Sequence, residues 1–478
     1  MTSKHRLGAA LIALALVATA CGARLSDRQW TEVRASSAAA RSSGNRNVTP
    51  SVVPAGGAAT TTTSQVNGAS RLGTTGTTAL TATRSAAVDP TKMPPGGNGG
   101  ATDVGITSSS ITIGNVSTLT GPVPGLFAGA IVGTQAFIAY QNSLGGLYGR
   151  KFKLDARDDQ FDTGQNRSAV LDLLGKAFAF VGSFSLFDDA AVDQIKQSNI
   201  PDMTSTISLN RMRLPNNFAL QPVIPGAPTG PFNYFKARNP GAISKVGTIY
   251  VNVPSAVAAY RGFKAAAQSV GYSFTYEREI GATETDFTSD VVRMRDSGVK
   301  MVYLLAVDDK STARFAKAMA SQNFHPEVFA AQAFAYDADV ITLGGSAVDG
   351  LFVTMANSMY SGEDAATIPE VALMDKWIQK VKPGFVPDLY AADGWAQGRL
   401  LVEAMTAVGP RVTRAAVNEA TRKIGPFDDH GLLPLSNPGK KESSTCFLLV
   451  RVVNGRYTRY DSPATGYKCE NSTYFRTG

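Results

Sequence analysis

The spacing of hydrophobic and polar positions changes abruptly near residue 110. From there to about residue 425, short apolar runs alternate with segments in which apolar residues recur every three or four positions. The short runs predict buried strands, and the longer spacing predicts amphipathic helices. Residues 111–117, for example, predict a strand, and residues 127–143 predict a helix with Ile131, Phe137 and Ile138 on one face.

The alternation continues through two successive sets of about four strand–helix units. It predicts an α/β fold of two doubly wound parallel-sheet lobes joined by a three-segment hinge, with helices on both faces of each sheet. We assign residues 105–225 and 355–430 to lobe 1, and residues 226–354 and 431–478 to lobe 2. The other predicted strands are residues 151–159, 178–182, 201–206, 246–251, 274–277, 301–307, 328–331 and 351–354. The other predicted helices are residues 165–176, 190–198, 256–270, 287–296, 311–321, 371–381, 391–408 and 412–424.

The first 21 residues have the features of an export signal. Lys4 and Arg6 precede an apolar run at residues 7–17, which is too short to span a bilayer because a transmembrane helix needs about 20 apolar residues. Small residues then lead to Cys21 and resemble a bacterial lipobox, in which the cysteine is acylated and becomes the mature N-terminus. We therefore predict a lipoprotein signal peptide over residues 1–21, with plain secretion as the alternative. Either way the protein is expected outside the cytoplasm, and lipidation would hold it on the extracytoplasmic face of the cell membrane.

Residues 22–104 are rich in Ala, Ser, Thr, Gly, Pro and Asn and carry few large apolar side chains. Such a composition does not offset the entropy of ordering, so we predict a disordered tether. The formal net charge is +8, and +6 of it falls on residues 1–104. The lobes are left nearly neutral, which argues against a nucleic-acid partner. The basic tether could lie against anionic lipid or cell-wall polymer, or it could be a soluble linker.

If Cys21 carries lipid, an even pair of cysteines remains at Cys446 and Cys469. An even pair in an exported chain predicts a disulfide, with two buried free thiols as the alternative. Between them, residues 447–453 and 456–460 flank Asn454-Gly455, which predicts a hairpin with a two-residue turn. A zinc site would need more ligands than this pair supplies. We therefore predict a C-terminal disulfide hairpin that packs on lobe 2.

No sequence motif of an enzyme is evident: there is no nucleophile elbow, phosphate-binding loop, dinucleotide fingerprint or zinc-protease motif. The chain has three histidines, His5, His325 and His430. Asp428 and Asp429 precede His430 and could form a weak metal cluster, but their Gly- and Pro-rich surroundings favour a solvated turn. Asp158 and Asp159 could bind a cation or act as acid and base, but turn formation and helix capping are favoured. We predict no catalysis, no cofactor and no metal.

Five short motifs follow one another along the first lobe: Ile111-Thr112-Ile113-Gly114, Leu119-Thr120-Gly121-Pro122, residues 145–151, Asp158-Asp159 and Asn199-Ile200-Pro201. Each alone is only a turn, but their order and spacing resemble the leucine/isoleucine/valine-binding protein family. These proteins are the branched-chain amino-acid and amide receptors of ABC importers. The resemblance covers about residues 109–425 and implies the type I periplasmic binding fold, in which two lobes close around a small molecule.

The resemblance also implies which residues of lobe 1 bind the ligand, since ligands bind outside the carboxyl ends of parallel strands. Ser185, Thr206 and Ser208 follow two predicted strands and fall where the family holds a ligand carboxylate with hydroxyl and backbone groups. Phe127 falls near the family's aromatic lining position. Tyr390 opens a helix in the region that lines the family's cleft.

In lobe 2 the acidic partner of an α-ammonium would stand near Gln332, where this chain has no carboxylate. Asp308 follows a predicted strand and is the carboxylate that could meet a cationic group instead; an exposed loop residue is the alternative reading. Trp395 is predicted to pack in the core rather than to line the cleft.

The function implied by the resemblance is capture of a small polar or carboxylated ligand, such as an amino acid or amide, for delivery to an ABC permease in the membrane. We expect a monomer whose partners are the ligand, the permease and, through the lipid, the membrane. A ligand-sensing receptor component with the same fold and no transport role is the alternative function.

Overall fold

The computed structural model describes residues 89–222 and 226–477, which belong to one compact unit. The predicted signal peptide, Cys21 and the tether as far as residue 88 lie outside the described residues. Within the described ranges, two mainly parallel sheets are each covered by helices on both faces. The predicted two-lobed α/β fold is therefore confirmed.

The described helices and strands occur in chain order as follows. The strands are β1 Ser110–Ser117, β2 Lys151–Asp158, β3 Ala179–Val181, β4 Asp202–Met203, β5 Gly226–Pro228, β6 Val246–Val251, β7 Phe274–Ile280, β8 Met301–Leu304, β9 Val328–Gln332, β10 Phe352–Met355, β11 Leu448–Val453, β12 Arg456–Arg459 and β13 Tyr474–Arg476. The α-helices are α1 Ala128–Ser143, α2 Thr163–Leu174, α3 Val192–Ser198, α4 Leu209–Met212, α5 Gly230–Arg238, α6 Pro254–Ser269, α7 Thr288–Asp296, α8 Asp309–Ser321, α9 Ala338–Gly344, α10 Pro369–Val381, α11 Leu389–Val408 and α12 Arg414–Lys423.

Lobe 1 is built on a four-stranded parallel sheet with the order β2-β1-β3-β4. Side chains alternate between its faces, as the period of two requires. Ile113 of β1 faces α1 and α11, where Phe137 and Leu401 lie beside it. Val116 packs instead with Val170 of α2, on the opposite face of the sheet.

Helices α1 and α11 cross so closely that glycine is required at the contact. A Cβ atom at Gly133 would lie 2.0 Å from the carbonyl oxygen of Ala391, and one at Gly129 would lie 1.8 Å from a carboxylate oxygen of Asp388. Asp388 caps α11 by accepting a hydrogen bond from the Ala391 N–H at 2.7 Å. The contact therefore fixes the start of α11, the helix turn that carries Tyr390, against lobe 1.

Lobe 2 is built on a seven-stranded sheet with the order β12-β11-β10-β9-β8-β6-β7. Strands β6 to β10 are parallel, and the C-terminal hairpin adds β11 and β12 antiparallel to them. Tyr303 of β8 packs with Phe235 and Tyr260 of α5 and α6, whereas the next residue, Leu304, belongs to the core on the other face, with Phe315 of α8. Both faces of β8 are thus buried, which explains why this strand is a continuous apolar run.

The hairpin turn has the residues that its geometry requires. Asn454 and Gly455 both have positive φ, +51° and +70°, as a type I′ turn demands. Cys446 and Cys469 form a disulfide, so the predicted disulfide hairpin is confirmed. The segment after Cys469 returns to pair β13 with β5.

We predict that the double substitution Cys446→Ser/Cys469→Ser lowers the free energy of unfolding by about 3 kcal/mol, because the bridge closes a chain segment of 23 residues in the unfolded state. Guanidinium unfolding followed by circular dichroism checks this, with the oxidised and reduced wild-type protein as controls. An unchanged unfolding midpoint in the double variant would contradict it.

The predicted tether ends too late in the sequence, because residues 89–104 pack against lobe 1. The side chain of Arg150 is fully buried and donates to the carbonyl oxygens of Asn98, at 2.6 Å, and Gly100, at 2.9 Å. Thr102 also donates to the Val412 carbonyl at 2.6 Å. A buried guanidinium needs acceptors, and this Gly- and Asn-rich segment supplies them through its backbone.

Other differences from the predicted elements have local causes. The strand predicted over residues 301–307 ends at Leu304 because Ala306 adopts a left-handed conformation, with φ of +59°. No helix or strand is predicted between residues 206 and 246, but Gly230-Pro231 starts α5, where proline at the first helical turn is favourable. Among the described residues, no helix is both long enough and apolar enough to cross a membrane.

Candidate ligand cleft between the lobes

In parallel α/β sheets, ligands bind outside the carboxyl ends of the strands, so we place the candidate cleft where these ends of the two lobes meet. The lobes touch across it, since the Ser255 hydroxyl at the start of α6 donates to the Leu186 carbonyl oxygen at 3.4 Å. Residues from both lobes can therefore contact one small molecule.

Three aromatic side chains pack into one cluster next to this contact between the lobes, here called the aromatic wall: Phe127, Phe184 and Tyr390. Their ring centroids are 4.6–4.8 Å apart and the rings meet edge to face. Leu126, Leu186 and Ile207 are partly buried against them. The structure thus brings the predicted Phe127 and Tyr390 together, and it adds Phe184, which the sequence analysis missed although it adjoins Ser185.

Ser185 is not free to bind a ligand. Its side chain is buried, and its hydroxyl donates to the carboxylate of Asp159. Asp159 also accepts from Asn166 Nδ2 at 3.0 Å and from the Phe161 N–H at 3.1 Å. Because this buried polar network engages the Ser185 hydroxyl, the predicted role of Ser185 in anion binding is not retained.

The backbone donors after β4 are also occupied. The Ile207 and Ser208 N–H groups donate to the carboxylate of Asp188, at 2.7 and 3.2 Å, and Asp188 is only 2% exposed. The Ser208 hydroxyl caps α4 by accepting from the Arg211 N–H at 3.3 Å. Among Ser185, Thr206 and Ser208, the residues predicted to hold an anion, only Thr206 has a hydroxyl group without a partner among the described residues.

A buried ion pair supports Asp188 from behind. Arg211 donates to the carboxylate of Asp202 at 2.8 and 2.9 Å and to the Asp188 carbonyl oxygen at 3.2 Å. The Arg211 and Asp202 side chains are 1% and 0% exposed. Burial raises the pKa of Asp188 to about 6, against the lowering effect of the Arg211 charge. Asp188 thus fills, from within the protein, the position where a ligand anion would accept hydrogen bonds.

The two residues predicted in lobe 2 both hold backbone groups. Asp308 caps α8 by accepting from the Ser311 N–H at 2.9 Å. Gln332 Oε1 accepts from the Ala306 N–H at 2.9 Å and so holds the left-handed residue after β8. Their side chains shape the lobe 2 edge of the cleft.

Carboxylates that the sequence analysis did not select gather beside them. Oxygen atoms of Asp309, Asp337 and Asp339 lie within 4.8 Å of one another. Lys310 Nζ lies 3.7 Å from Asp339. Burial first, and then the charges of Asp337 and Asp308, raise the pKa of Asp309 to about 7. This edge of the cleft is therefore acidic, and the run of Asp308, Asp309 and Lys310 directly after a strand was its sequence signal.

A family model described as periplasmic binding protein matches residues 110–456, and the match spans the strands and helices of both lobes. The chain belongs to the periplasmic binding protein family. Proteins of this family bind small molecules and work with ABC transporters outside the cytoplasm.

Named relatives share this architecture at low sequence identity. Leu/Ile/Val-binding protein homolog 2 of Brucella abortus (strain 2308) is 23% identical over 334 residues, which are 68% of this binding protein and 85% of the relative. A fatty acid ABC transporter substrate-binding protein from Thermomonospora curvata superimposes with a TM-score of 0.66 at 20% identity, over 77% of this chain and 95% of that one. A branched-chain amino acid ABC transporter protein from Thermus thermophilus with bound valine also gives a TM-score of 0.66, at 16% identity, over 76% and 97% of the two chains. At these identities the structural matches establish the fold alone.

The segment Asp428-Asp429-His430, which was predicted to be a solvated turn, is partly buried in this binding protein. Asp429 is 2% exposed and lies 2.7 Å from Arg399 Nε, and Arg399 also donates to Glu370. Atoms of Glu370, Asp429 and His430 lie within 4.8 Å of one another, but a guanidinium already supplies their positive charge. The solvated-turn prediction is therefore wrong for Asp429, because Arg399 draws it into the lobe. The preference for turn formation at Asp158 is confirmed, since its carboxylate accepts from the Gln160 N–H two residues on, at 2.9 Å. It also accepts from Leu119 and Thr120, far away in sequence.

We predict that Asp388→Asn raises the free energy of unfolding of the ligand-free binding protein more at pH 8 than at pH 5. The difference should be about 1–2 kcal/mol after allowance for partial exposure. Burial raises the pKa of Asp388 from 3.8 to about 7, so the folded carboxyl group keeps a proton that the unfolded one loses. Stability contributed by that proton is present below pH 4 and is lost as pH rises to 7. Asparagine keeps the helix cap and cannot ionise.

Thermal unfolding of the wild-type and Asp388→Asn proteins across this pH range checks the expectation, with Asp296→Asn on the exposed end of α7 as the control. Parallel pH profiles for Asp388→Asn and wild type would contradict it.

Proposed function

We propose that this chain is an extracytoplasmic solute-binding protein, anchored by lipid at Cys21, that captures a small ligand with a large apolar part between its lobes. It delivers that ligand unchanged to an ABC importer in the membrane. The aromatic wall carries the proposal: Phe127, Phe184 and Tyr390 lie where the two lobes touch at Ser255 and Leu186.

The chemistry of the cleft supports binding rather than catalysis. Its polar groups Ser185, Ser208, Asp308 and Gln332 each make hydrogen bonds within the protein. A solute-binding protein needs affinity that differs between open and closed lobes, not a reactive group. One solved relative is described as binding valine and another as a fatty acid transporter protein, and both ligands have an apolar chain. The aromatic wall suits such a chain.

Native mass spectrometry of the purified protein tests this function. We expect one intact small molecule per chain, retained by the wild-type protein and lost at least tenfold more readily from Phe127→Leu/Tyr390→Leu. Truncating aromatic side chains in the wall removes apolar contact with the ligand. Phe263→Leu, a partly buried aromatic residue in lobe 2, is the matched control. Absence of any bound molecule, or recovery of a chemically altered one, would contradict the proposal.

A further inference from the structure

Three chain segments connect the two lobes, and any movement of one lobe against the other must pass through them. The first lies between α4 and β5, the second between β10 and α10 (residues 356–368), and the third between α12 and β11 (residues 424–447). Hinge motion is absorbed by a few residues in such connections. Contacts that tie the connections to one another therefore limit how freely the lobes move.

The third connection lies against the other two. Gln221 of the first connection donates through Nε2 to the Pro434 carbonyl oxygen at 3.3 Å, and its Oε1 accepts from the Ser444 N–H at 2.9 Å. The Ser358 N–H of the second connection donates to the Leu432 carbonyl oxygen at 2.9 Å. The hinge is thus one bundle of hydrogen-bonded segments.

The C-terminal segment from β12 to β13, residues 456–476, packs against this bundle and is here called the clasp. In the second connection, Asp364 accepts from the Arg459 guanidinium with both carboxylate oxygens, at 3.0 and 2.6 Å. The two side chains are 13% and 5% exposed. A bidentate ion pair with so little contact to water fixes its geometry far better than a surface pair does.

The clasp contacts the third connection at two places. The Tyr467 phenol donates to the carbonyl oxygens of Gly431 and Leu432, at 3.1 and 2.9 Å. Cys469 then forms the disulfide with Cys446, two residues before β11. Hydrogen bonds therefore attach the clasp to the middle of the third connection, and a covalent bond attaches it to the end.

Beyond the disulfide the clasp reaches the strand that follows the first connection. β13 pairs antiparallel with β5. The Thr229 N–H donates to the Thr473 carbonyl oxygen at 2.8 Å, and the Thr473 N–H donates to the Thr229 hydroxyl at 3.0 Å. The Gly230 N–H donates to the Ser472 hydroxyl at 3.0 Å. One short C-terminal segment is thus bonded in or beside each of the three connections.

We propose that the clasp restrains the interlobe hinge: it stabilises the conformation in which the lobes touch at Ser255 and Leu186, and so sets how readily they open. Contacts present in one conformation and stretched in another shift the population toward the first. The Arg459–Asp364 ion pair and the Tyr467 phenol are the contacts most exposed to this stretching, because they join the clasp to segments that lead into lobe 1. The consequence for a bound molecule, slower release, rests on the proposed function.

The distance between spin labels at Asp193→Cys in lobe 1 and Asp296→Cys in lobe 2 tests the restraint, in the Cys21→Ser protein after dialysis has removed bound molecules. Arg459→Met removes both bonds of the buried ion pair and is expected to broaden the interlobe distance distribution about twofold. Arg456→Met makes the same change at an exposed position of the same strand and should leave the distribution unchanged.

Tyr467→Phe keeps the aromatic ring and removes the phenol group, so it should broaden the distribution in the same direction. This milder variant decides the question if Arg459→Met does not fold. Guanidinium unfolding of the same proteins separates a hinge restraint from a purely structural role. A lowered unfolding midpoint together with an unchanged distance distribution would overturn the inference.

Native mass spectrometry keeps the inference apart from the proposed function. From a wild-type protein that retains a small molecule, Arg459→Met should lose that molecule about tenfold more readily than Arg456→Met. Equal retention by the two variants would contradict the restraint. A wild-type protein that retains no molecule would refute the proposed function instead, and the interlobe distances would still decide for or against the clasp.

Discussion

Arg211→Met is expected to lower the free energy of unfolding by about 3–5 kcal/mol, because it leaves the carboxylate of Asp202 buried without its cation. Among the described residues, the hydrogen bond that the Asp202 carboxylate would keep is the one from Asn217 Nδ2, at 2.9 Å. The Asp188 carbonyl would also lose its donor, so the segment that closes the anion position should loosen. The buried pair thus affects both the stability of lobe 1 and the chemistry of the cleft.

Guanidinium unfolding measures the first effect, with Arg213→Met as a control because Arg213 is exposed two residues away. The double variant Asp202→Asn/Arg211→Met should recover part of the loss, since it removes the stranded charge as well. A loss below about 1 kcal/mol in Arg211→Met would contradict the assigned role of the pair.

Arg399→Met is expected to lower the free energy of unfolding by about 3–5 kcal/mol for a similar reason. Arg399 donates to Glu370 of α10 and contacts Asp429, which lies in the segment that leads from lobe 1 back to lobe 2. Trp395 Nε1 donates to the same Glu370 at 2.6 Å, so the indole is held in the core as the sequence predicts. Without the guanidinium, two carboxylates would face each other with little water.

The loss of unfolding free energy in Arg399→Met should be smaller at pH 5 than at pH 8. Burial raises the pKa of Asp429 well above its usual range, and the nearby charge of Glu370 adds to this. A raised carboxyl pKa favours the protonated folded state at low pH, and the destabilisation grows as the group is forced to ionise. Guanidinium unfolding at both pH values checks this, with the exposed Arg295→Met as the control. Equal losses at the two pH values would contradict the account.

Hydrophobic spacing predicted most of the fold because each lobe buries both faces of its sheet. The strand over Val246–Val251 was predicted with the observed bounds, and the Asn454-Gly455 turn identified its hairpin. The predicted element boundaries were wrong where tertiary contacts override the local composition. Residues 89–104 look like linker, yet the buried guanidinium of Arg150 collects their carbonyl groups.

The cleft was predictable in position but not in chemistry. Strand ends place Phe127, Ser185 and Tyr390 near it, and the structure brings Phe127 and Tyr390 into contact. Whether a polar group is free to bind a ligand depends on groups far away in sequence. The Asp159 carboxylate accepts from the Ser185 hydroxyl, and the Asp188 carboxylate accepts from the N–H groups of Ile207 and Ser208. No local sequence pattern predicts these hydrogen bonds.

We expect the two lobes to close on a ligand. The distance between spin labels attached at Asp193→Cys in lobe 1 and Asp296→Cys in lobe 2 tests this most directly. The labelled protein carries Cys21→Ser and keeps the native disulfide intact. Both positions are exposed. We predict that the co-purified ligand shortens and narrows the interlobe distance in the wild-type cleft and leaves it unchanged in Phe127→Leu/Tyr390→Leu. The same distance distribution with and without bound ligand would contradict the account.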